Sequence, residues 1–266
     1  MSGVRRHPVR VAFRLVRLGS TLGWAGLDYF FFIWLRGRSS SLPERMAWLG
    51  RTSRRILRLL NVTAAYAGEP PSAGMLVCNH LSYLDIMVLG QRQPLVFVSK
   101  AEVRRWPVLG RLTACAGTLF LKREAKADIL RVSESFAPLI EAGVVVTIFP
   151  EGTSTDSRQV LPFRPSLLEP AAANGWRVSP AWIAYRLEDG SVGEEVCYWG
   201  DMTFAPHLLN LLSKKEIRAF VAYGEPVARG MDRKALALTL HGNVCALAQR
   251  HRHHVRPARS GVARAE

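Results

Sequence analysis

Residues 143–152, GVVVTIFPEG, decide the fold class that the sequence predicts. A continuous apolar run rich in β-branched residues is typical of a strand that is buried on both faces. Pro150 and Gly152 then favour a turn directly after the strand. Comparable apolar runs lie on both sides of this one, and helix-like stretches separate them. This alternation predicts an α/β fold with a mixed, mostly parallel central sheet flanked by helices.

The predicted elements divide the chain into three parts: a helical segment over 1–60, a central domain over 61–249 and a basic, disordered tail over 250–266. With 266 residues, 48% of them hydrophobic, the chain can form one sizeable domain with a true core. We predict six strands and two helices in the central domain. The strands lie within 74–80, 94–99, 117–122, 143–152, 176–185 and 217–227, and the helices span 127–142 and 231–250.

The net charge of +15 is concentrated at the two ends of the chain. Residues 1–60 hold twelve Arg and no Lys against two acidic residues, a net charge of +10, and residues 250–266 hold five Arg against Glu266, a net charge of +4. The central domain is nearly neutral, at +1. Cationic ends favour lipid headgroups or nucleic acid. Because no helix-turn-helix, zinc-finger or RNP pattern is present, we predict membrane lipids as partners and no nucleic acid.

The four cysteines are scattered along the chain, with no C-x-x-C pair and no histidine at metal-ligand spacing. This pattern predicts reduced thiols in a protein that faces the cytoplasm. We therefore expect neither a disulfide framework nor a metal site.

The first part of the N-terminal segment is predicted to be a basic amphipathic helix. Such a helix is suited to lie in a membrane interface, and the solvated face of an ordinary surface helix is the alternative. Arginines fall on one stripe of the helix and apolar residues on another. The basic stripe consists of Arg6, Arg10, Arg14 and Arg17, and the apolar stripe of Val9, Phe13 and Val16.

The next stretch, residues 18–35, is marginal for a bilayer span, which needs about 20 apolar residues. It also contains Asp28, which would cost about 2–3 kcal/mol at the bilayer centre. We therefore expect an interfacial or re-entrant helix, with a single span or a buried core helix as alternatives. A second helix over 44–60 would complete a helical anchor at the cytoplasmic face of the inner membrane.

The segment CNHLSYLD, residues 78–85, places Asn79, His80 and Asp85 directly after an apolar strand. Strand ends are where α/β domains bind their ligands. A histidine accepts a proton near neutral pH, and a nearby carboxylate fixes its tautomer and stabilises the imidazolium. If a helix begins just after His80, Asp85 lies in its first turn and can reach the ring. Ser82 and Asp85 also resemble a capping box, which would leave Asp85 as a helix-start residue and His80 as a loop residue.

A second polar turn follows the strand at 143–152. It carries Glu151, Gly152 and Thr153, and the backbone N–H groups of such a turn can hold a phosphate or a carboxylate. An ordinary strand-end turn is the alternative.

Taken together, these motifs make the chain resemble the glycerolipid acyltransferases typified by bacterial 1-acylglycerol-3-phosphate acyltransferase. Order and spacing agree from about residue 62 to residue 227. The matches are N-H-x-x-x-x-D at Asn79, His80 and Asp85; G-x-x-F-[IL]-x-R at Gly117, Phe120, Leu121 and Arg123; F-P-E-G-T at 149–153; an apolar strand with proline at Val178, Pro180 and Ile183; and G-E-P at 224–226.

The resemblance implies a reaction and a role for each matched residue. His80 would act as the general base that deprotonates an acceptor hydroxyl, and Asp85 would orient and support it. The substrate-binding residues would be Asn79, Arg123, Glu151, Gly152 and Thr153. The acyl donor would be acyl-CoA or acyl-carrier protein, and neither a cofactor nor a metal is implied.

The implied acceptor is a lysolipid, with 1-acyl-sn-glycerol-3-phosphate, which gives phosphatidic acid, as the first choice. One position departs from the family pattern. Phosphatidic-acid-forming members usually continue F-P-E-G-T with Arg, whereas this chain has Ser154. An acyltransferase for another lysolipid, such as lyso-ornithine lipid, is therefore the alternative, and a basic membrane-binding protein is the non-enzymatic alternative.

Overall fold

A computed structural model describes residues 7–38, 41–106, 108–121, 126–227 and 229–255. Its described strands form one seven-stranded sheet in the order β1-β7-β6-β2-β5-β3-β4. Only the β6–β7 pair is antiparallel, so the prediction of a mixed, mostly parallel sheet is confirmed. The strands are β1 Val62–Ala67, β2 Gly74–Cys78, β3 Leu95–Lys100, β4 Leu119–Leu121, β5 Val145–Ile148, β6 Val178–Arg186 and β7 Ile217–Tyr223.

Helices cover both faces of this sheet. We label them α1 Pro8–Tyr29, which continues as a π-helix over Phe30–Trp34, α2 Leu42–Leu60, α3 Leu84–Arg92, α4 Leu109–Cys115, α5 Lys126–Glu141, α6 Glu169–Asn174, α7 Val192–Glu195, α8 Phe204–Ser213 and α9 Arg233–His251. Short 3-10 turns occur at Ala101–Arg105, Pro165–Leu167 and Arg252–His254.

Strand β2 shows how the core is layered. Leu76 and Cys78 pack in the same hydrophobic cluster as α1, α2, α3 and α8, whereas Met75 and Val77 pack in the cluster that contains α5, α6 and α9. Successive side chains of a strand point to opposite faces, so a strand covered by helices on both sides is apolar throughout. This explains why the predicted apolar runs in the central domain form strands.

One strand and four short helices were not predicted. Strand β1, with the sequence VTAAYA, has a weak strand signal because alanine has low β-propensity. The short helices α4, α6, α7 and α8 lie between the predicted elements. At the C-terminus, Arg250 and His251 belong to α9, and Arg252–His254 forms a 3-10 turn, so the prediction of a disordered tail is wrong for 250–255. Residues 256–266 lie outside the described ranges.

The N-terminal helices pack on the central domain. Val11, Leu18 and Ala25 of α1 are buried in the same cluster as the sheet, and Trp48 Nε1 of α2 donates a hydrogen bond to Ala25 O at 2.9 Å. The acid expected to be costly in a membrane, Asp28, forms ion pairs with Arg51 at 3.2 Å and with a second arginine of α2. Helices α1 and α2 are therefore part of the folded core.

Two arginines of the predicted basic stripe face the domain. The guanidinium of Arg10 donates to Ser213 O at 2.8 Å, and that of Arg14 donates to Leu212 O at 3.2 Å and to Lys214 O. These carbonyls belong to the end of α8, where helical carbonyl groups lack partners. The prediction of a membrane-facing stripe is thus wrong for Arg10 and Arg14.

The apolar stripe of α1 lies on the surface as predicted, with Phe13 and Val16 exposed. Arg17 is also exposed, whereas Arg6 lies outside the described residues. Within the described ranges, no helix combines the length and the hydropathy that crossing a bilayer requires.

Candidate active site

The two predicted polar turns come together because β2 and β5 are parallel neighbours in the sheet. The first turn follows β2 and carries His80, and the second follows β5 and carries Glu151. Two hydrogen bonds of the His80 backbone join them: His80 N donates to Glu151 Oε1 at 2.8 Å, and Thr155 N donates to His80 O at 2.9 Å. The sheet topology therefore creates one site from segments about 70 residues apart.

His80 and Asp85 form a hydrogen-bonded pair in which His80 Nδ1 lies 2.8 Å from Asp85 Oδ2. The Asp85 side chain is fully buried, whereas 23% of the His80 side chain is exposed. The His80 ring stacks on Phe149 with a centroid separation of 4.1 Å. An ionised carboxylate can only accept a hydrogen bond, so Nδ1 must carry the proton of the neutral ring. Nε2 is then the basic atom.

Asp85 both binds the His80 ring and caps the start of α3, the two roles that the sequence left open. It lies in the first turn of α3, and its Oδ2 accepts hydrogen bonds from Leu81 N at 2.7 Å and Ser82 N at 3.0 Å. These bonds satisfy backbone donors at the start of the helix, as one half of a capping box does. The same oxygen holds His80, so the capping contacts fix the carboxylate that orients the ring.

Glu151 braces the site from the other turn. Its Oε1 accepts the bond from His80 N, and its Oε2 accepts one from Leu161 N at 2.9 Å. Burial raises the pKa of this carboxyl to about 7, although the two N–H groups and His80 oppose the effect. Both carboxylate oxygens are thus directed at the backbone of this chain.

Asn79 has a similar bracing geometry. Its Nδ2 donates to Ile183 O at 2.9 Å, and its Oδ1 accepts from Ile183 N at 2.8 Å. The side chain continues the β2–β6 ladder past the end of β2 and is buried. Asn79 and Glu151, both predicted to bind substrate, therefore direct these hydrogen bonds at the backbone of the chain: Asn79 at Ile183, and Glu151 at His80 and Leu161.

Gly152 and Thr153 line the open side of the second turn. Gly152 has a φ of +79°, and a Cβ there would lie 2.6 Å from Nε of Arg164, so the turn requires glycine. Ser154, at the position where an arginine was expected for a phosphatidic-acid-forming enzyme, donates its hydroxyl to Tyr198 O and is thus tied to the loop after α7. Arg123 lies outside the described residues.

A cavity of about 500 Å³ opens beside His80. Its lining includes the second turn and residues of the loop between α7 and α8, among them Tyr198 and Trp199. It also includes apolar residues of α1 and α2, among them Leu18, Leu22 and Trp48. A mostly apolar cavity with a histidine in its lining can hold a hydrocarbon chain with the reactive group at that residue.

Lys100 and Tyr185 are among the polar residues of this site that sequence reasoning missed. Lys100, at the end of β3, lines the cavity. Tyr185 of β6 is buried and donates its hydroxyl to Asp85 Oδ1 at 2.6 Å. The sequence signal for Tyr185 was its position two residues after Ile183 in the predicted strand, because residues two apart in a strand lie on the same face. Lys100 could have been suspected from its position directly after the strand at 94–99.

Comparison with known proteins agrees with this geometry. The Acyltransferase family model matches residues 61–184. The chain is 34% identical over 234 residues to the lyso-ornithine lipid O-acyltransferase of Pseudomonas aeruginosa, covering 84% of this chain and 88% of that protein. It is 30% identical over 178 residues to the 1-acyl-sn-glycerol-3-phosphate acyltransferase of Neisseria meningitidis, covering 62% of this chain and 70% of that protein.

The chain belongs to the glycerolipid acyltransferase family and is an acyltransferase, which decides against the non-enzymatic alternative. Its fold is similar to that in the crystal structure of the 1-acyl-sn-glycerophosphate acyltransferase PlsC from Thermotoga maritima. The TM-score is 0.64 at 18% identity, over 92% of this chain and 97% of that one.

Proposed function

We propose that the protein transfers a fatty acyl group from an acyl thioester to the free hydroxyl of a lysolipid. The observation that carries this proposal is the His80–Asp85 pair at one side of an apolar cavity of about 500 Å³. The pair provides a general base, and the apolar lining of the cavity can bind a fatty acyl chain.

In the proposed reaction His80 Nε2 accepts the proton of the lysolipid hydroxyl while the oxygen attacks the thioester carbonyl carbon. The carbon–sulfur bond then breaks, and the imidazolium returns the proton to the leaving thiolate. The products are an ester and a thiol, and no acyl-enzyme forms. Asp85 stabilises the imidazolium through Nδ1, as in other carboxylate–histidine pairs. The donor is acyl-CoA or acyl-carrier protein, and the step needs no further co-reactant.

The polar residues in the cavity lining would bind the acceptor headgroup. We assign this role to Gly152 and Thr153 of the second turn and to Lys100, with Arg123 retained from the family resemblance. The positions of Asn79 and Glu151 support an indirect role instead, because their hydrogen bonds hold the backbone around His80.

Among lysolipids we place lyso-ornithine lipid ahead of 1-acyl-sn-glycerol-3-phosphate, which reverses the order suggested by the sequence motifs. The lyso-ornithine lipid relative from Pseudomonas aeruginosa aligns over 84% of this chain, against 62% for the Neisseria meningitidis relative. Ser154 also supports this order, because this position has no arginine that could bind a phosphate. The serine hydroxyl is instead bound to Tyr198 O.

We further propose that α1 and the π-helix after it lie in the interface of the membrane at its cytoplasmic face. Large apolar side chains are exposed along this segment, and Arg17, Arg36 and Arg38 accompany them. Apolar surface with flanking arginines is typical of interfacial helices. The exposed side chains are Val9, Phe13, Leu15, Val16, Trp24, Leu27, Phe30, Phe31, Phe32, Trp34 and Leu35.

An acceptor competition tests the proposal. Purified protein receives one acyl thioester and equal concentrations of lyso-ornithine lipid, lysophosphatidic acid and lysophosphatidylethanolamine, and the products are quantified by mass spectrometry. We expect acylation of lyso-ornithine lipid to dominate, and we expect His80→Ala to lower every product by about 10²–10⁴-fold. A folded His80→Ala protein with near-normal turnover would contradict the mechanism, and exclusive use of lysophosphatidic acid would contradict the acceptor.

A further inference from the structure

The Asp85 carboxylate is held on both of its oxygens. Oδ2 accepts from His80 Nδ1 and from the backbone of residues 81 and 82, at 2.7 to 3.0 Å. Oδ1 accepts from the hydroxyl of Tyr185 at 2.6 Å. Tyr185 is on β6, a different element from α3, so its bond ties the catalytic carboxylate to the central sheet.

The Tyr185 bond restrains the second oxygen of the carboxylate. Rotation about the Cβ–Cγ bond would carry both oxygens away from their donors, and the three bonds to Oδ2 already oppose it. The donor on Oδ1 adds a restraint from the opposite side and helps to keep Oδ2 directed at His80. It also withdraws charge from the carboxylate, which limits how strongly Asp85 attracts the imidazolium proton.

We propose that Tyr185 is a positioning residue of the acyl transfer reaction, acting through Asp85 on the orientation and basicity of His80. This inference rests on the proposed function of His80 as the general base. Tyr185 has no contact with the reacting atoms, and its effect passes through the carboxylate. The titratable groups nearest to the Tyr185–Asp85 pair are His80, Glu151, Cys78 and Cys197.

The test is Tyr185→Phe, which removes only the hydroxyl. We expect kcat to fall roughly 5- to 30-fold, the effect of one hydrogen bond, with little change in KM for either substrate. We also expect the acidic limb of the kcat–pH profile to move to higher pH, because an Asp85 without this donor holds the imidazolium proton more tightly. A purely structural role would lower activity without moving the limb.

Tyr223→Phe is the matched control. Tyr223 is a buried tyrosine on the neighbouring strand β7, and among the described residues its hydroxyl has no hydrogen-bond partner. Its removal should leave kcat and the pH profile unchanged. A second measurement is the double variant of Tyr185→Phe with Asp85→Asn, whose kcat should equal that of Asp85→Asn alone if Tyr185 acts through Asp85.

The inference is overturned if folded Tyr185→Phe keeps the wild-type kcat, if its kcat falls while the pH limb stays in place, or if its effect adds fully to that of Asp85→Asn. Failure of the proposed function has a different signature. In that case His80→Ala would remain active, whereas failure of the present inference leaves His80→Ala inactive and Tyr185→Phe normal.

Discussion

Replacing Glu151 by glutamine should make the protein more stable at high pH and less active. Burial raises the pKa of this carboxyl from its ordinary 4.5 to about 7. Because the pKa in the folded protein is above that in the unfolded chain, the contribution of Glu151 to stability is fully present below about pH 4.5 and is lost as the pH rises through about 7. The pKa difference therefore lowers the free energy of unfolding above pH 8 by about 3 kcal/mol relative to its value below pH 4.5.

Glutamine removes the charge but keeps only one acceptor oxygen. The carboxylate accepts from His80 N and Leu161 N, so in the variant an NH₂ group faces one of these donors. The lost bond costs about 1–3 kcal/mol. A protonated Glu151 also has only one good acceptor oxygen, so we expect the stabilities of variant and wild type to agree within about 1 kcal/mol at pH 5. At pH 8 the variant should be more stable by up to about 3 kcal/mol, while kcat falls roughly tenfold because His80 is held less well.

The assay is urea unfolding in detergent, followed by tryptophan fluorescence, at pH values from 5 to 8. Glu188→Gln is the control, because this carboxylate is half exposed and pairs with Arg218 on the surface. Its effect should stay within about 1 kcal/mol with no comparable pH dependence. If Glu151→Gln is less stable than wild type by more than about 1 kcal/mol at pH 8, the two hydrogen bonds outweigh the burial of the charge and the reasoning is refuted.

Three further changes have defined outcomes. Asp85→Asn should lower kcat by about 10²–10⁴-fold in a folded protein, since the imidazolium loses its charge partner, and steady-state kinetics with circular dichroism check this. Replacing exposed Trp24 and Phe31 by serine should weaken flotation with anionic vesicles by at least about tenfold without loss of fold, whereas undiminished flotation would place the membrane contact elsewhere. Ser154→Arg should shift the acceptor competition towards lysophosphatidic acid, because an arginine offers a phosphate two charge-assisted bonds; an unchanged product ratio would show that this position does not select the headgroup.

Deletion of the N-terminal segment would not test membrane binding separately from folding. The sequence predicted an anchor separate from the central domain, and on that basis removal of residues 1–60 would only release the protein from the membrane. In the structure Leu18 and Trp48 belong to the main hydrophobic cluster and to the cavity wall. Deleting them would expose the core, so point substitutions on the exposed face of α1 are the better test.

The sequence by itself determined the layered α/β architecture, and it placed Asp85 within reach of His80, a pairing that the family resemblance favoured over a simple helix-cap role. Both are local properties: runs such as GVVVTI are apolar throughout only when helices cover both faces of a strand, and a spacing of five residues across the start of a helix brings a carboxylate back to the ring. The helix and capping contacts of Asp85 follow from the same short segment.

Only the tertiary structure decided which partners the polar side chains around His80 meet. Asn79, Glu151 and Tyr185 have their partners about 70 to 100 residues away along the chain, on strands and loops whose neighbours are set by the sheet order. Arg10 and Arg14 look like membrane-binding charges until α8 places its terminal carbonyl groups beside them. A sequence pattern shows what a side chain can do, but the partner it meets depends on the packing of distant segments.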